Sequence, residues 1–147
     1  TRDGRFLVPA EPELQGPPNI FLASTDVVIE AEHRGRRLPF FLDTGGFSTE
    51  LFPRFYKAFE LEVMRRGRYE SATIEGIGSR VRTPVFFVRG LAFRVAGQRV
   101  RFDKALPVLT QSVGKTSGDF YGSFGLDLLD RLHDLTLNYE AMRLSLR

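Results

Sequence analysis

The sequence has no cysteine and no tryptophan, and only two histidines among its 147 residues. Without thiols there is no disulfide framework, no thiolate metal site and no cysteine nucleophile. The compartment is left open, since oxidising and reducing surroundings suit such a chain equally. His33 and His133 lie far apart, each among charged residues. A histidine-based metal centre or serine triad therefore has little to draw on, and each is read as a surface or partly satisfied side chain. No apolar run approaches the roughly 20 residues of a membrane-spanning helix, and no secretory leader is visible. The start at Thr1 rather than Met is read as excision from, or processing of, a longer protein. Localisation stays unassigned, with periplasm or cell envelope open if the full-length protein carries a signal.

The nucleotide-binding patterns are also missing. Gly114-Lys115-Thr116 lacks the upstream glycine of a phosphate-binding loop, because Leu109 occupies that position. Gly76-Ile77-Gly78 is followed at position 81 by Val81 rather than Gly or Ala, so it is not a dinucleotide fingerprint. No Gly-x-Ser-x-Gly elbow occurs. No cofactor and no metal are expected. The net charge is +3 with a pI near 9.6, but basic residues alternate with acidic ones and the densest cluster, Arg65-Arg66-Gly67-Arg68, is short. A nucleic-acid surface would call for a denser stripe, and a solvated basic face is the simpler reading.

What is present is an ordinary globular composition, 42% apolar and 27% charged, in a length suited to one compact domain. Residues 1–25, with Pro9, Pro12, Gly16, Pro17 and Pro18, read as a linker or N-terminal extension. An edge strand that helps dimerisation is the other reading of this lead-in. The domain proper is expected over 26–147. Val27–Ala31 and Leu38–Leu42 read as two strands joined at His33-Arg34-Gly35-Arg36. Residues 49–65 have helical spacing, with Leu51, Phe55 and Phe59 four apart. Arg68–Glu75 and Arg80–Val88 flank Gly76-Ile77-Gly78 as a hairpin, and Leu91–Val95 with Arg99–Phe102 form another. A strand at Leu106–Leu109, a loop over 111–122, a short helix over Gly125–Leu132 and a closing hairpin complete the chain. Many short strands with one or two short helices predict a mainly β fold, a closed barrel or sandwich.

One segment carries recognisable chemistry. Phe40-Phe41-Leu42 runs directly into Asp43-Thr44-Gly45-Gly46, so a carboxylate emerges at the end of an apolar strand, where its environment can tune it. Two glycines behind it allow a sharp turn and close approach, and the Thr44 hydroxyl can bond nearby backbone. Taken alone, the same four residues suit a simple turn.

In context, the run LPFFLDTGGFSTEL resembles the active-site loop of the retropepsin-like aspartic proteases, which carry Asp-Thr-Gly after an apolar strand. Gly46 replaces the usual Ala or Ser. Two further features lie in the family's order. Ser123-Phe124-Gly125-Leu126-Asp127-Leu128-Leu129 matches its pair of residues before a glycine and short helix, with Ser123 in place of an aliphatic residue. Ile74-Glu75-Gly76-Ile77-Gly78 matches the tip of its flap hairpin. The ending LTLNYEAMRLSL looks like the closing hairpin of bacterial members, of single-domain or tandem type. The resemblance spans roughly residues 26–147.

That resemblance implies a mainly β, retropepsin-like closed barrel and an aspartic endopeptidase acting on peptide or protein substrates, with bonds between apolar residues as the target class. In that chemistry two carboxylates face each other and share one proton, and the ionised member activates a water. Asp43 would be one of them. The chain has a single Asp-Thr-Gly, so the second must come from a homodimer partner or a tandem sister domain. Thr44 would grip its counterpart and Gly45 would permit the approach. Gly76, Ile77 and Gly78 would cover substrate, and Phe124 with Gly125 would support the loop, Phe124 having core packing as its equal alternative. Asp127, Asp130 and Asp134, which lack such a loop, read as surface charges or caps. A non-catalytic peptide-binding or dimerisation module with the same fold is the competing function. An unrelated small β-barrel interaction domain, with Asp43 merely a turn residue, is the third.

Overall fold

The computed structural model describes residues 17–76, 79–112, 118–132 and 134–146. The expected flap tip residues Ile77 and Gly78, the segment Gly114-Lys115-Thr116 and His133 lie outside the described residues. The elements in order are β1 (Ile20–Ala23), β2 (Asp26–His33), β3 (Arg36–Leu42), β4 (Glu50–Leu51), α1 (Pro53–Ala58), α2 (Glu60–Arg66), β5 (Gly67–Gly76), β6 (Ser79–Val88), β7 (Ala92–Val95), β8 (Gln98–Arg101), β9 (Leu106–Leu109), β10 (Gly122–Phe124), α3 (Leu126–Leu129), β11 (Leu135–Asn138) and β12 (Arg143–Leu146). The fold is mainly β, as the sequence pattern predicts.

One curled ten-stranded sheet runs in the order β5-β6-β9-β4-β10-β3-β2-β7-β8, with β1 added beside β2, while β11 and β12 pair separately. Most neighbours are antiparallel, but β10 lies parallel to β3 and β4 parallel to β9. The β2–β3 hairpin turns through Arg34 and Gly35, both at positive φ (53° and 76°). That pair of left-handed residues matches the twist of the flanking strands. In β3 the alternation is clear: Leu38, Phe40 and Leu42 face the core, so Phe41 stands on the opposite face.

The main core gathers around Phe40, Phe93, Phe102 and Phe124, whose rings meet at centroid separations of 4.5 to 6.1 Å. The end of the lead-in belongs to this packing. Ile20 is fully buried, and the Asn19 side chain takes both a donor and an acceptor from Leu144.

Two local expectations fail for tertiary reasons. Residues 49–65 do not form one helix. Glu50 and Leu51 are claimed by the sheet, between β10 and β9, and the helix breaks at Phe59 (φ −130°, ψ 30°). The break seats the Phe59 ring against His33 and Phe55, at 4.8 and 4.7 Å. His33, read as a surface or partly satisfied side chain, is corrected in the first respect: it is buried, and both ring nitrogens have partners. Phe55, Phe59 and Phe93 surround its ring. The Ala92 carbonyl accepts from its Nδ1 at 2.8 Å, and its Nε2 lies 3.1 Å from Glu62 Oε2.

Glu62 is the hub of this corner, with its side chain 11% exposed and bonds from Arg34 and Arg66 as well. Burial alone would raise its pKa, but the hydrogen bonds from Arg34 and His33, the charge of His33 and the bond from Arg66 prevail and hold it at about 2. A carboxylate depressed in the folded state stabilises above its unfolded pKa and loses that contribution as pH falls through its folded value. Glu62→Gln should therefore cost about 2 kcal/mol near neutral pH, the scale of hydrogen bonds to a charged group. In urea titrations the gap between wild type and variant should close between about pH 5 and pH 2. A gap that is constant with pH would exclude this account.

Candidate active-site loop

Asp43 follows the last residue of β3, and its backbone N–H still donates to the Phe124 carbonyl at 2.9 Å. The extended strand geometry therefore continues to residue 43, and its side chain falls on the Phe41 face, away from the core. The chain then turns back on itself. The N–H groups of Gly45 and Gly46 both donate to Asp43 Oδ1, at 2.9 and 3.1 Å. One carboxylate oxygen is thus fixed by two backbone dipoles while the residue stays exposed. Among the described residues Oδ2 makes no hydrogen bond. Thr44 and Gly45 are exposed too, and Phe47 is 88% exposed.

The loop is hung from the segment that follows β10. Leu126 N–H donates to the Gly46 carbonyl at 2.8 Å. A Cβ on Gly125 would lie 2.6 to 2.8 Å from backbone atoms of Ser48 and Gly46. Only a residue without a side chain allows that approach. Phe124 is fully buried in the main core, and its contribution to the loop is the carbonyl that receives Asp43.

Sequence reasoning passed over two residues here. Asp127 is not a mere surface charge or cap. Its Oδ1 accepts from both the N–H and the hydroxyl of Thr49, at 2.9 and 2.6 Å. Thr49 is itself fully buried, and its hydroxyl oxygen accepts from Gly125 N–H at 3.2 Å. This charge-assisted latch closes the loop across 78 positions of sequence. No local pattern announces a partner that distant. The second is Glu50, which is half-buried. Burial, and then the charge of Asp43, raise its pKa from the ordinary glutamate value. The helical reading of 49–65 hid it. As a strand residue next to buried Leu51, it projects to the Asp43 side.

The β5–β6 hairpin pairs in register from Gly67↔Val88 to Gly76↔Ser79. Gly76 ends its first arm, at the brink of the residues not described. Two surface depressions lie elsewhere, one bordered by Asn19, Glu30 and Arg37 and the other by Arg66, Arg68 and Phe87. Asp43 itself is exposed. No group of three or more His, Asp or Glu among the described residues is arranged to hold a metal ion, and no described helix is long and apolar enough to cross a membrane.

No family model matches the chain, and no curated protein matches it. Among solved structures it is similar to the retroviral protease-like domain of Ddi1 from Leishmania major. That match covers 86% of this chain and 88% of the other, with a TM-score of 0.56 and 16% sequence identity. At that identity the likeness concerns the fold, which is retropepsin-like.

Removing the latch tests how the loop is held. Asp127→Ala leaves the Thr49 N–H and hydroxyl without their acceptor, and should cost about 2–3 kcal/mol. Hydrogen exchange of the Thr49 and Gly125 amides should accelerate more than that of β2 and β3. Uniform acceleration across the sheet would show that the latch is not local to the loop.

Proposed function

We propose that this chain is one half of an aspartic endopeptidase, with Asp43 supplying one of two carboxylates that activate a water against a peptide bond. The observation that supports the reading is the posture of Asp43. It is exposed, yet two backbone N–H groups fix one of its oxygens, and the loop that carries it is latched from behind. An aspartate in a simple turn can make the two local bonds, but the latch behind the loop adds the held geometry on which general acid–base chemistry depends.

A second carboxylate of the same kind completes the site, from another copy of this chain or from a related domain. A two-fold axis beside residues 43–47 would bring two such loops face to face. It would cover Thr44 and Phe47, both exposed in the single chain. Like charges so close cannot both ionise easily, so the pair retains one proton. The ionised member takes a proton from water as the water oxygen bonds to the carbonyl carbon. The protonated member gives its proton to the carbonyl oxygen. Collapse of the resulting diol breaks the C–N bond, with a proton delivered to the leaving nitrogen.

The long β5–β6 hairpin would serve as the flap, with Gly76, Ile77 and Gly78 at its tip, and an extended substrate would pair its backbone there as an added strand. The fold likeness supports the architecture, and the Asp43 loop supports the chemistry.

On this reading, cleavage of unstructured peptides is expected at acidic to mildly acidic pH. It should be blocked by a statine-type mimic of the tetrahedral intermediate. Asp43→Asn should lower kcat by about 10³-fold or more, with the circular dichroism spectrum unchanged. Cleavage that survives this substitution would end the assignment.

A further inference from the structure

We infer that Glu50 is a specificity-determining residue that receives a lysine or arginine side chain of the peptide substrate. The inference deepens the proposed reading of the Asp43 site and rests on it.

The argument begins with register. Phe41 of β3 pairs with Ser123 of β10, and Ser123 pairs with Glu50 of β4. Directly paired residues project to the same face. Phe41, Ser123 and Glu50 therefore form one row across three strands, and Asp43, two residues beyond Phe41, stands on the same face. The row spans two strand spacings, about 10 Å. That is some three residues of an extended peptide, so whatever occupies it lies close to the bond placed at Asp43. Apolar rings border the row at its Phe41 end, where Phe120 packs at 4.1 Å and Phe52 at 6.4 Å. Glu50 is the acidic member of the row.

A carboxylate there is poorly served by its own chain. It is half-buried, and among the described residues no Lys, Arg or His pairs with it, whereas Glu62 in the same fold gathers three such partners. Both influences that raise its pKa, burial and the charge of Asp43, disfavour the ionised form. A cation arriving from outside would offset both at once. An ammonium or guanidinium on a long apolar stem fits best, because the stem can cover the neighbouring rings while its charged end meets Glu50.

The test uses the full-length protein in its assembled form and matched peptide sets. Each set carries Lys, norleucine or Glu at one position within three residues of the scissile bond. Each peptide is made in a cleavable version and in one with a reduced, uncleavable bond. For one position, wild type should favour Lys over norleucine by about tenfold or more, in kcat/KM and in Kd. In Glu50→Gln that ratio should fall to near one, and Glu50→Lys should favour Glu. Cleavage without charge preference, or a Lys preference that persists in Glu50→Gln, would overturn this inference and leave the endopeptidase reading standing. Glu50-dependent binding with no cleavage would support this inference and overturn that reading. Peptides that neither bind nor react would overturn both.

Discussion

The short parallel pairing of β10 with the end of β3 is the contact that the site depends on. Only two residue pairs make it, Phe41 with Ser123 and Leu42 with Phe124. They bring the Phe124 carbonyl to the Asp43 N–H, Gly125 against Ser48 and Gly46, and Asp127 to Thr49. Each later feature of the loop follows from that alignment. A one-residue slip would turn Phe124 out of the core and carry Ser123 into it. The four-phenylalanine core opposes such a slip, since Phe124 touches Phe40, Phe93 and Phe102 at once. Packing on one face of the sheet thereby fixes the Asp43 loop on the other.

Much of this was legible in the sequence. The apolar run from Leu38 to Leu42, the Arg34-Gly35 turn and the two hairpin arms that flank Gly76-Ile77-Gly78 are local signals, and local signals survive folding. The mainly β class followed from their number. The Asp43 loop was legible as a motif, because its hydrogen bonds to Gly45 and Gly46 reach only two and three residues ahead.

What was not legible depends on partners distant in sequence. His33 is enclosed by rings from α1, from the break at Phe59 and from β7, and it meets Glu62 from α2. Nothing within its own charged neighbourhood predicts that burial. Thr49 and Asp127 are strangers in sequence. Glu50 was misread because leucine and phenylalanine at four-residue spacing describe a helix and a strand-then-helix equally well over so short a window. The pairing of Leu51 with Val108 and Gly122 decides it for the strand.

The latch between Thr49 and Asp127 also has a meaning in time. During synthesis the acid and its two glycines leave the ribosome long before residues 122–127 do. Until those residues arrive, the loop lacks the carbonyl, the small neighbour and the carboxylate that shape it. Contacts of such long reach must offset a loop-closure entropy before they stabilise anything. The nascent polypeptide therefore carries Asp43 without these contacts, and the posture of its carboxylate is completed only once residues 122–127 have been made.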